Sequence, residues 1–223
     1  MLETFELRRH GDRVRLPLPA QRLLAYLALQ DRPLHRAYVA GALWLDSTDA
    51  HASGSLRSAL WRLRRSGCDL VQESEHQLRV SDRVSVDVRE AYEWAACVQD
   101  PSAPITAGDV AYAANSAELL RDWYDDWVVL ERERLRQLRA NALEVLCDRL
   151  ASAERFGDAI KVGLAAVRNE PLRESAHRAV IRIHLAQGNR ADAFRHYAHY
   201  RRLVADALGI EPSARMEALV GRL

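Results

Sequence analysis

The 223-residue sequence contains few cysteines and no long apolar run, and each shortage excludes a class of protein. Its three cysteines, Cys68, Cys97 and Cys147, are far apart and form no C-x-x-C pair, which argues against a disulfide framework and a structural zinc site. No apolar run approaches the roughly 20 residues of a membrane span. The first residues, MLETFELRRHGDRVRL, alternate and are charged, unlike a signal peptide. These features predict a cytoplasmic protein that does not enter a membrane.

Lysine is almost absent, since Lys161 is the only one among 32 basic residues. A GC-rich genome is the simplest cause, although arginine also suits bidentate contacts with phosphates and guanines better than lysine does. The formal net charge is only +1. If the protein binds nucleic acid, its positive charge must therefore be concentrated on one surface rather than spread over the whole chain.

Motifs of catalysis and cofactor binding are also missing. The sequence contains no G-x-x-x-x-G-K-[ST] loop and no nucleophile motif built on serine, cysteine or histidine. Two histidine pairs have helical spacing, but no carboxylate–histidine motif completes a metal site with them; they are His177 with His184 and His196 with His199. We expect no enzymatic activity, no cofactor and no metal.

The most informative segment, residues 46–65, reads as a capped amphipathic helix. With Leu56 as the centre of one face and 100° per residue, four small or apolar residues fall within about 60° of it: Ala52, Ala59, Leu60 and Leu63. The opposite side carries Gly54, Ser58, Trp61 and Arg65, flanked by Arg57 and Arg62. A slim surface with bidentate donors is what a helix needs to read the major groove. The alternative is an exposed, salt-bridged surface helix.

The order of elements around this segment predicts a winged helix-turn-helix in residues 1–90. A hairpin is expected from 2–9 and 13–16, helices at 21–29, 36–43 and 46–65, and short strands at 70–71, 77–80 and 84–88. Arg36 at the start of the second helix and Arg79 in the wing are candidates for phosphate contacts. Together with the outward-facing side of the third helix, they complete the predicted DNA-binding set: Gly54, Arg57, Ser58, Trp61, Arg62, Arg65, Arg36 and Arg79.

Residues 91–223 read as an all-α, tetratricopeptide-like domain, so the chain as a whole is mainly α with a small β component. Helices are expected at 89–98, 108–120 and 127–155, with Trp123 and Trp127 anchoring the two halves. Beyond them, Asp158-Ala159 aligns with Asp192-Ala193 at an offset of 34 residues, the tetratricopeptide period. The repeat reading assigns Gly157 and Gly188 to turns, Ala159 and Ala193 to packing, and Pro171 and Pro212 to the closing positions. A generic helical bundle is the alternative.

Several motifs resemble those of the Streptomyces antibiotic regulatory protein family of activators. In the first half they are LPAQRLLAYLAL, ALWLD and SLRSALWRLRR; in the second half they are LERERLRQL, NEPLR and LGIEP. The resemblance implies a winged helix like that of response-regulator output domains, followed by a bacterial transcriptional activator domain. It also implies binding to direct repeats upstream of biosynthetic gene clusters, by side-by-side protomers or a homodimer that recruit RNA polymerase holoenzyme through its sigma factor.

The chain departs from the family pattern in three ways. His76-Gln77 stands where the family's wing often has Gly-Tyr, and His35 stands where a serine or threonine usually caps the second helix. The ATPase domain of larger members is missing, which fits either a small member or a fragment of a large one. Two other functions remain open: a repressor of the same architecture, and a protein-interaction adaptor that uses its tetratricopeptide-like half.

Overall fold

The computed structural model describes residues 1–115 and 117–221. Their contacts divide them into two compact units, Met1–Glu90 with Glu118–Glu133 and Ala91–Ala117 with Arg134–Leu223. The helices are α1 (Leu18–Ala28), α2 (Arg36–Leu43), α3 (Asp49–Arg65), α4 (Asp87–Gln99), α5 (Ala107–Ala114), α6 (Asp126–Ser152), α7 (Phe156–Asn169), α8 (Glu174–Ala186), α9 (Arg190–Leu208) and α10 (Ala214–Val220). The strands are β1 (Arg8–Arg9), β2 (Asp12–Arg13), β3 (Leu34–His35), β4 (Val71–Glu73) and β5 (Gln77–Val80). In the described residues no helix is both long and apolar enough to cross a membrane.

The first unit is a winged helix-turn-helix, as predicted. Helix α1 packs against α3, and Leu23 and Leu27 of α1 are buried, as are Leu56 and Leu60 of α3. The wing is a three-stranded antiparallel sheet in the order β3-β5-β4, in which Leu34 pairs with Leu78 and Val71 with Val80. Strand β3 follows Pro33 directly and was not predicted, because a two-residue strand has no measurable periodicity.

Three predicted elements of this unit are corrected. Residues 84–88 do not form a strand, because α4 already begins at Asp87, whose carboxylate accepts hydrogen bonds from the Met1 amine and the Leu2 amide. The first helix begins at Leu18 rather than at residue 21, and Pro19 lies in its first turn, since a proline at the start of a helix lacks only a donor that would be unpaired there. The hairpin itself is reduced to β1 and β2, two residues each.

The segment Glu118–Glu133 packs on the N-terminal residues of the same unit. Leu2 forms a bridge with Leu119, so the predicted helix 108–120 is wrong at its end: α5 stops at Ala114, and Asn115 has an extended backbone. Trp123 stacks on Phe5 with ring centroids 6.0 Å apart, and Trp127 meets the edge of Tyr26 at 5.2 Å. The two tryptophans therefore anchor residues of the second half of the sequence to the first unit.

The second unit is all-α and has its own core. Buried side chains from α4 to α8 form one cluster, which includes Trp94, Leu143, Leu146 and Ile183. Helices α7 and α8 approach closely at Gly163, where an added Cβ would lie 2.9 Å from Val180 Cγ2 and 3.3 Å from Cys147 Sγ. Glycine is therefore needed there for packing rather than for its backbone freedom.

The 34-residue repeat is visible in the backbone. Helices α7 and α9 begin 34 residues apart, after Arg155 at φ −78°, ψ 55° and Asn189 at φ −81°, ψ 62°. Ala159 and Ala193, the predicted packing residues, are fully buried. The predicted turn role of Gly157 is wrong, because this residue lies inside the first turn of α7. The residue equivalent to the left-handed turn residue Gly188 is Glu154, which adopts φ 57°.

Candidate nucleic-acid interface

Helix α3 separates an apolar face from an arginine-bearing face, as the helical wheel predicts. It begins at Asp49 rather than at residue 46, because the Thr48 hydroxyl accepts from the His51 amide and caps the helix. The buried residues of α3 are the five predicted ones: Ala52, Leu56, Ala59, Leu60 and Leu63. The apolar face fixes the rotation of α3 about its axis, so the side chains on its opposite face point away from the core.

The opposite face of α3 carries cations that are free to bind a ligand. Arg57, Ser58 and Arg62 are exposed and, with Gly54, line an open groove along the helix. Within the described residues, neither Arg57 nor Arg62 has a carboxylate oxygen within 4 Å. A Cβ added to Gly54 would lie 3.8 Å from Arg57 Nη2, so the surface at this residue is open. The groove therefore offers unneutralised guanidinium groups beside a surface that another molecule can approach closely.

Trp61 positions Arg65 on the same face. The Arg65 guanidinium carbon lies 4.7 Å from the centroid of the Trp61 ring, and Trp61 remains 54% exposed. A guanidinium group that stacks on a ring by its face keeps its N–H donors at its edge. Trp61 thus restricts the orientation of Arg65 and leaves its hydrogen-bond donors available.

Glu73, on strand β4, connects the wing to both α2 and α3. Its Oε2 accepts from Arg36 Nη1 at 3.0 Å, and its Oε1 accepts from Arg64 Nε at 2.9 Å and Nη2 at 2.7 Å. This role of Glu73 was not predicted, because no local pattern in the sequence indicates that three elements meet at one carboxylate. Arg36, a predicted phosphate-binding residue, is therefore neutralised within the chain.

The wing offers little free positive charge. Arg79, the other predicted phosphate-binding residue, forms an ion pair with Asp82. The turn between β4 and β5 presents Glu75, whose side chain is 87% exposed, beside His76. The ring of His76 stacks on His35 at 5.9 Å, and His35 caps α2 by accepting from the Ala37 amide at 3.4 Å. In this structure the free cations of the interface belong to α3.

Comparison with known proteins identifies the family. The sequence model of the bacterial transcriptional activator domain matches residues 86–223, more than half of the chain. The chain belongs to the bacterial transcriptional activator domain family. The resemblance to the Streptomyces antibiotic regulatory proteins is confirmed. Membership in this family supports the interpretation of the protein as a transcription regulator.

Individual relatives agree with this membership. The chain is 26% identical over 229 residues to the regulatory protein AfsR of Streptomyces coelicolor, and 26% identical over 218 residues to AfsR of Streptomyces griseus. These matches cover 96% and 92% of this chain but only 23% and 22% of the relatives, so the chain spans less than a quarter of their length.

A solved structure with the same architecture is that of Mycobacterium tuberculosis EmbR in complex with a low-affinity phosphopeptide. The TM-score is 0.75 at 21% identity, and the match covers 99% of this chain and 63% of the EmbR chain. This likeness supports the combination of a winged helix with a helical domain.

Four of the eight histidines of this family member lie in its second unit, where His177 and His196 form a pair. Nε2–H of the fully buried His177 donates to the Pro171 carbonyl at 2.8 Å, which leaves Nδ1 to accept from His196 Nε2 at 3.1 Å. Burial and the neighbouring His177 lower the pKa of His196 to about 4. Within residues 1–115 and 117–221, no three histidine, cysteine or acidic side chains are grouped so as to hold a metal ion.

Proposed function

We propose that this protein is a sequence-specific DNA-binding transcriptional activator whose α3 enters the major groove. The observation that carries the proposal is the outward face of α3, where Arg57 and Arg62 are exposed without a carboxylate partner in the described residues. Unpaired guanidinium groups beside small residues suit bidentate recognition of guanine edges. A merely solvated surface helix would more commonly pair its arginines with acidic residues three or four positions away.

Each residue of the interface has a role in this proposal. Arg57, Arg62 and Arg65 bind guanine edges or phosphates, while Gly54 and Ser58 allow the helix to approach the bases. Trp61 orients Arg65. Arg36 and Arg79 bind phosphates only after leaving Glu73 and Asp82, so their contribution is smaller than that of the α3 arginines.

Family membership supports the partners in the proposal. The protein binds direct repeats upstream of biosynthetic promoters, including those for antibiotics, and recruits RNA polymerase holoenzyme with its sigma factor. Two protomers side by side on one face of the duplex require repeats about 10–10.5 bp apart. Repeats out of phase with the helical turn would contradict this arrangement.

The proposal is tested by selecting fragments of the host's genomic DNA with the purified protein and sequencing what is retained. We expect an enriched site made of direct repeats near a promoter, and loss of enrichment when Arg57, Arg62 and Arg65 are all replaced by alanine. Arg202→Ala is the control, because Arg202 is an exposed arginine of α9. No enrichment by folded protein at moderate salt would contradict DNA binding and favour the adaptor. Enrichment at sites whose occupancy lowers transcription would indicate a repressor.

A further inference from the structure

Two arginines of the α3 groove are paired with one carboxylate. Arg36 and Arg64 line the same groove as Arg57 and Arg62, and both donate to Glu73. The Glu73 side chain is only 18% exposed, and that of Arg36 is 29% exposed. A partly buried carboxylate with three charge-assisted hydrogen bonds is held more firmly than an exposed ion pair.

The position of Glu73 affects what the groove binds. Carboxylates and phosphates both carry anionic oxygens that accept paired hydrogen bonds from a guanidinium group. The Glu73 carboxylate therefore occupies the position on Arg36 and Arg64 that a DNA phosphate would otherwise take. Phosphate contacts provide almost all of a protein's affinity for DNA of arbitrary sequence. Keeping two arginines neutralised therefore weakens binding to arbitrary DNA more than binding to a site read by base contacts.

We propose that Glu73 is a specificity-determining positioning residue, which holds Arg36 and Arg64 away from DNA phosphates and so suppresses binding to arbitrary sequences. The inference rests on the proposed DNA-binding function. It assigns to an acidic residue of the wing a role that neither the sequence pattern nor family membership provides.

The reason why arbitrary DNA is affected most lies in the freedom of the complex. On a recognised site, contacts from Arg57, Arg62 and Arg65 to bases fix the orientation of α3. On arbitrary DNA the protein can tilt until any free guanidinium group reaches a phosphate. Released Arg36 and Arg64 therefore add contacts mainly to the non-specific complex, and the ratio of the two affinities falls.

The test is the affinity of Glu73→Gln for a duplex of random sequence and for the site enriched from the genome, measured over a range of salt concentrations. A glutamine oxygen can accept from only one of the two arginines, and its NH2 group faces the other. We expect the slope of log affinity against log salt on random DNA to steepen by about 0.9 for each released arginine. We also expect the preference for the enriched site to fall.

Two comparisons separate this role from general effects of charge or stability. Glu75→Gln makes the same charge change two residues away, at an exposed position whose carboxylate lies 3.8 Å from His76 Nε2, and should alter the slope less. In Glu73→Gln, the further change Arg64→Ala should remove the part of the steepening that Arg64 contributes, about 0.9 if that arginine is released. The same change Arg64→Ala in the wild-type protein should leave the slope nearly unchanged. A loosened fold alone would not steepen the slope.

The outcomes are distinct. An unchanged slope in folded Glu73→Gln, or an equal change in Glu75→Gln, would overturn the assignment of Glu73 while leaving the DNA-binding function intact. If Glu73→Gln does not fold, the comparison of the wild-type protein with its Arg64→Ala variant decides alone. A shallower slope in Arg64→Ala would overturn the proposal, and an unchanged slope would support it. Failure of the proposed function would appear earlier, as wild-type protein that enriches no site.

Discussion

Replacing Trp61 with alanine should weaken DNA binding through the loss of its contact with Arg65. The guanidinium carbon lies 4.7 Å from the ring centroid, and the ring is 54% exposed. A cation–π contact at an exposed site contributes about 0.5–1 kcal/mol. This corresponds to a reduction of affinity by about 2- to 5-fold at 25 °C, if the contact mainly orients Arg65.

The assay is fluorescence anisotropy of a labelled duplex that carries the enriched site. Trp61→Phe keeps an aromatic ring and should lose less affinity than Trp61→Ala. The double variant Trp61→Ala, Arg65→Ala tests the reasoning, because its loss should be smaller than the sum of the two single losses by about 0.5–1 kcal/mol. Tyr124→Ala is the control, since Tyr124 is an 83% exposed aromatic residue outside α3. Additive losses would refute the role of Trp61 in orienting Arg65.

Two further predictions concern the second unit. In urea denaturation, Gly163→Ala should lower the free energy of unfolding by about 1–3 kcal/mol, because its Cβ would lie 2.9 Å from Val180 Cγ2. Gly157→Ala, whose Cβ would have no atom within 4 Å, should instead raise it by up to about 1 kcal/mol. Equal effects of the two changes would contradict the close approach of α7 and α8 at Gly163. Burial lowers the pKa values of His177 and His196, the latter to about 4, so the unfolded chain binds more protons below about pH 6.5. The contribution of these histidines to the free energy of unfolding should therefore be fully present above that pH and be lost as the pH falls toward 4. The midpoints of urea denaturation at pH 7.5 and pH 5 measure this loss. The same pH dependence of stability in His196→Phe would contradict the prediction.

The apolar face of α3 could be predicted from sequence because its periodicity extends over four turns. All five predicted core residues are buried, so the direction of the opposite face followed as well. The 34-residue repeat was equally visible, since it places Ala159 and Ala193 in equivalent backbone environments. Both features are regular patterns within the sequence itself, which is the information that a single sequence carries best.

The features that escaped prediction depend on residues far apart in the chain. The alternating valines at 84, 86 and 88 suggested a strand, but Asp87 binds the N-terminal amine and begins α4. Residues 118–120 looked helical, yet they pair with the first three residues. Glu73 is unremarkable in sequence, because its role arises only where β4, α2 and α3 meet. In each case tertiary contacts outweighed local preference.

The central claim is that the α3 arginines read guanine bases. The most direct test replaces single guanines of the enriched site with 7-deazaguanine, which removes the N7 acceptor, and measures the affinity of wild-type, Arg57→Ala, Arg62→Ala and Arg65→Ala proteins. The account predicts that at least one substituted guanine weakens wild-type binding by about 1–3 kcal/mol and has no further effect once its arginine is removed. Losses that add for every pairing of arginine and guanine would contradict reading by α3.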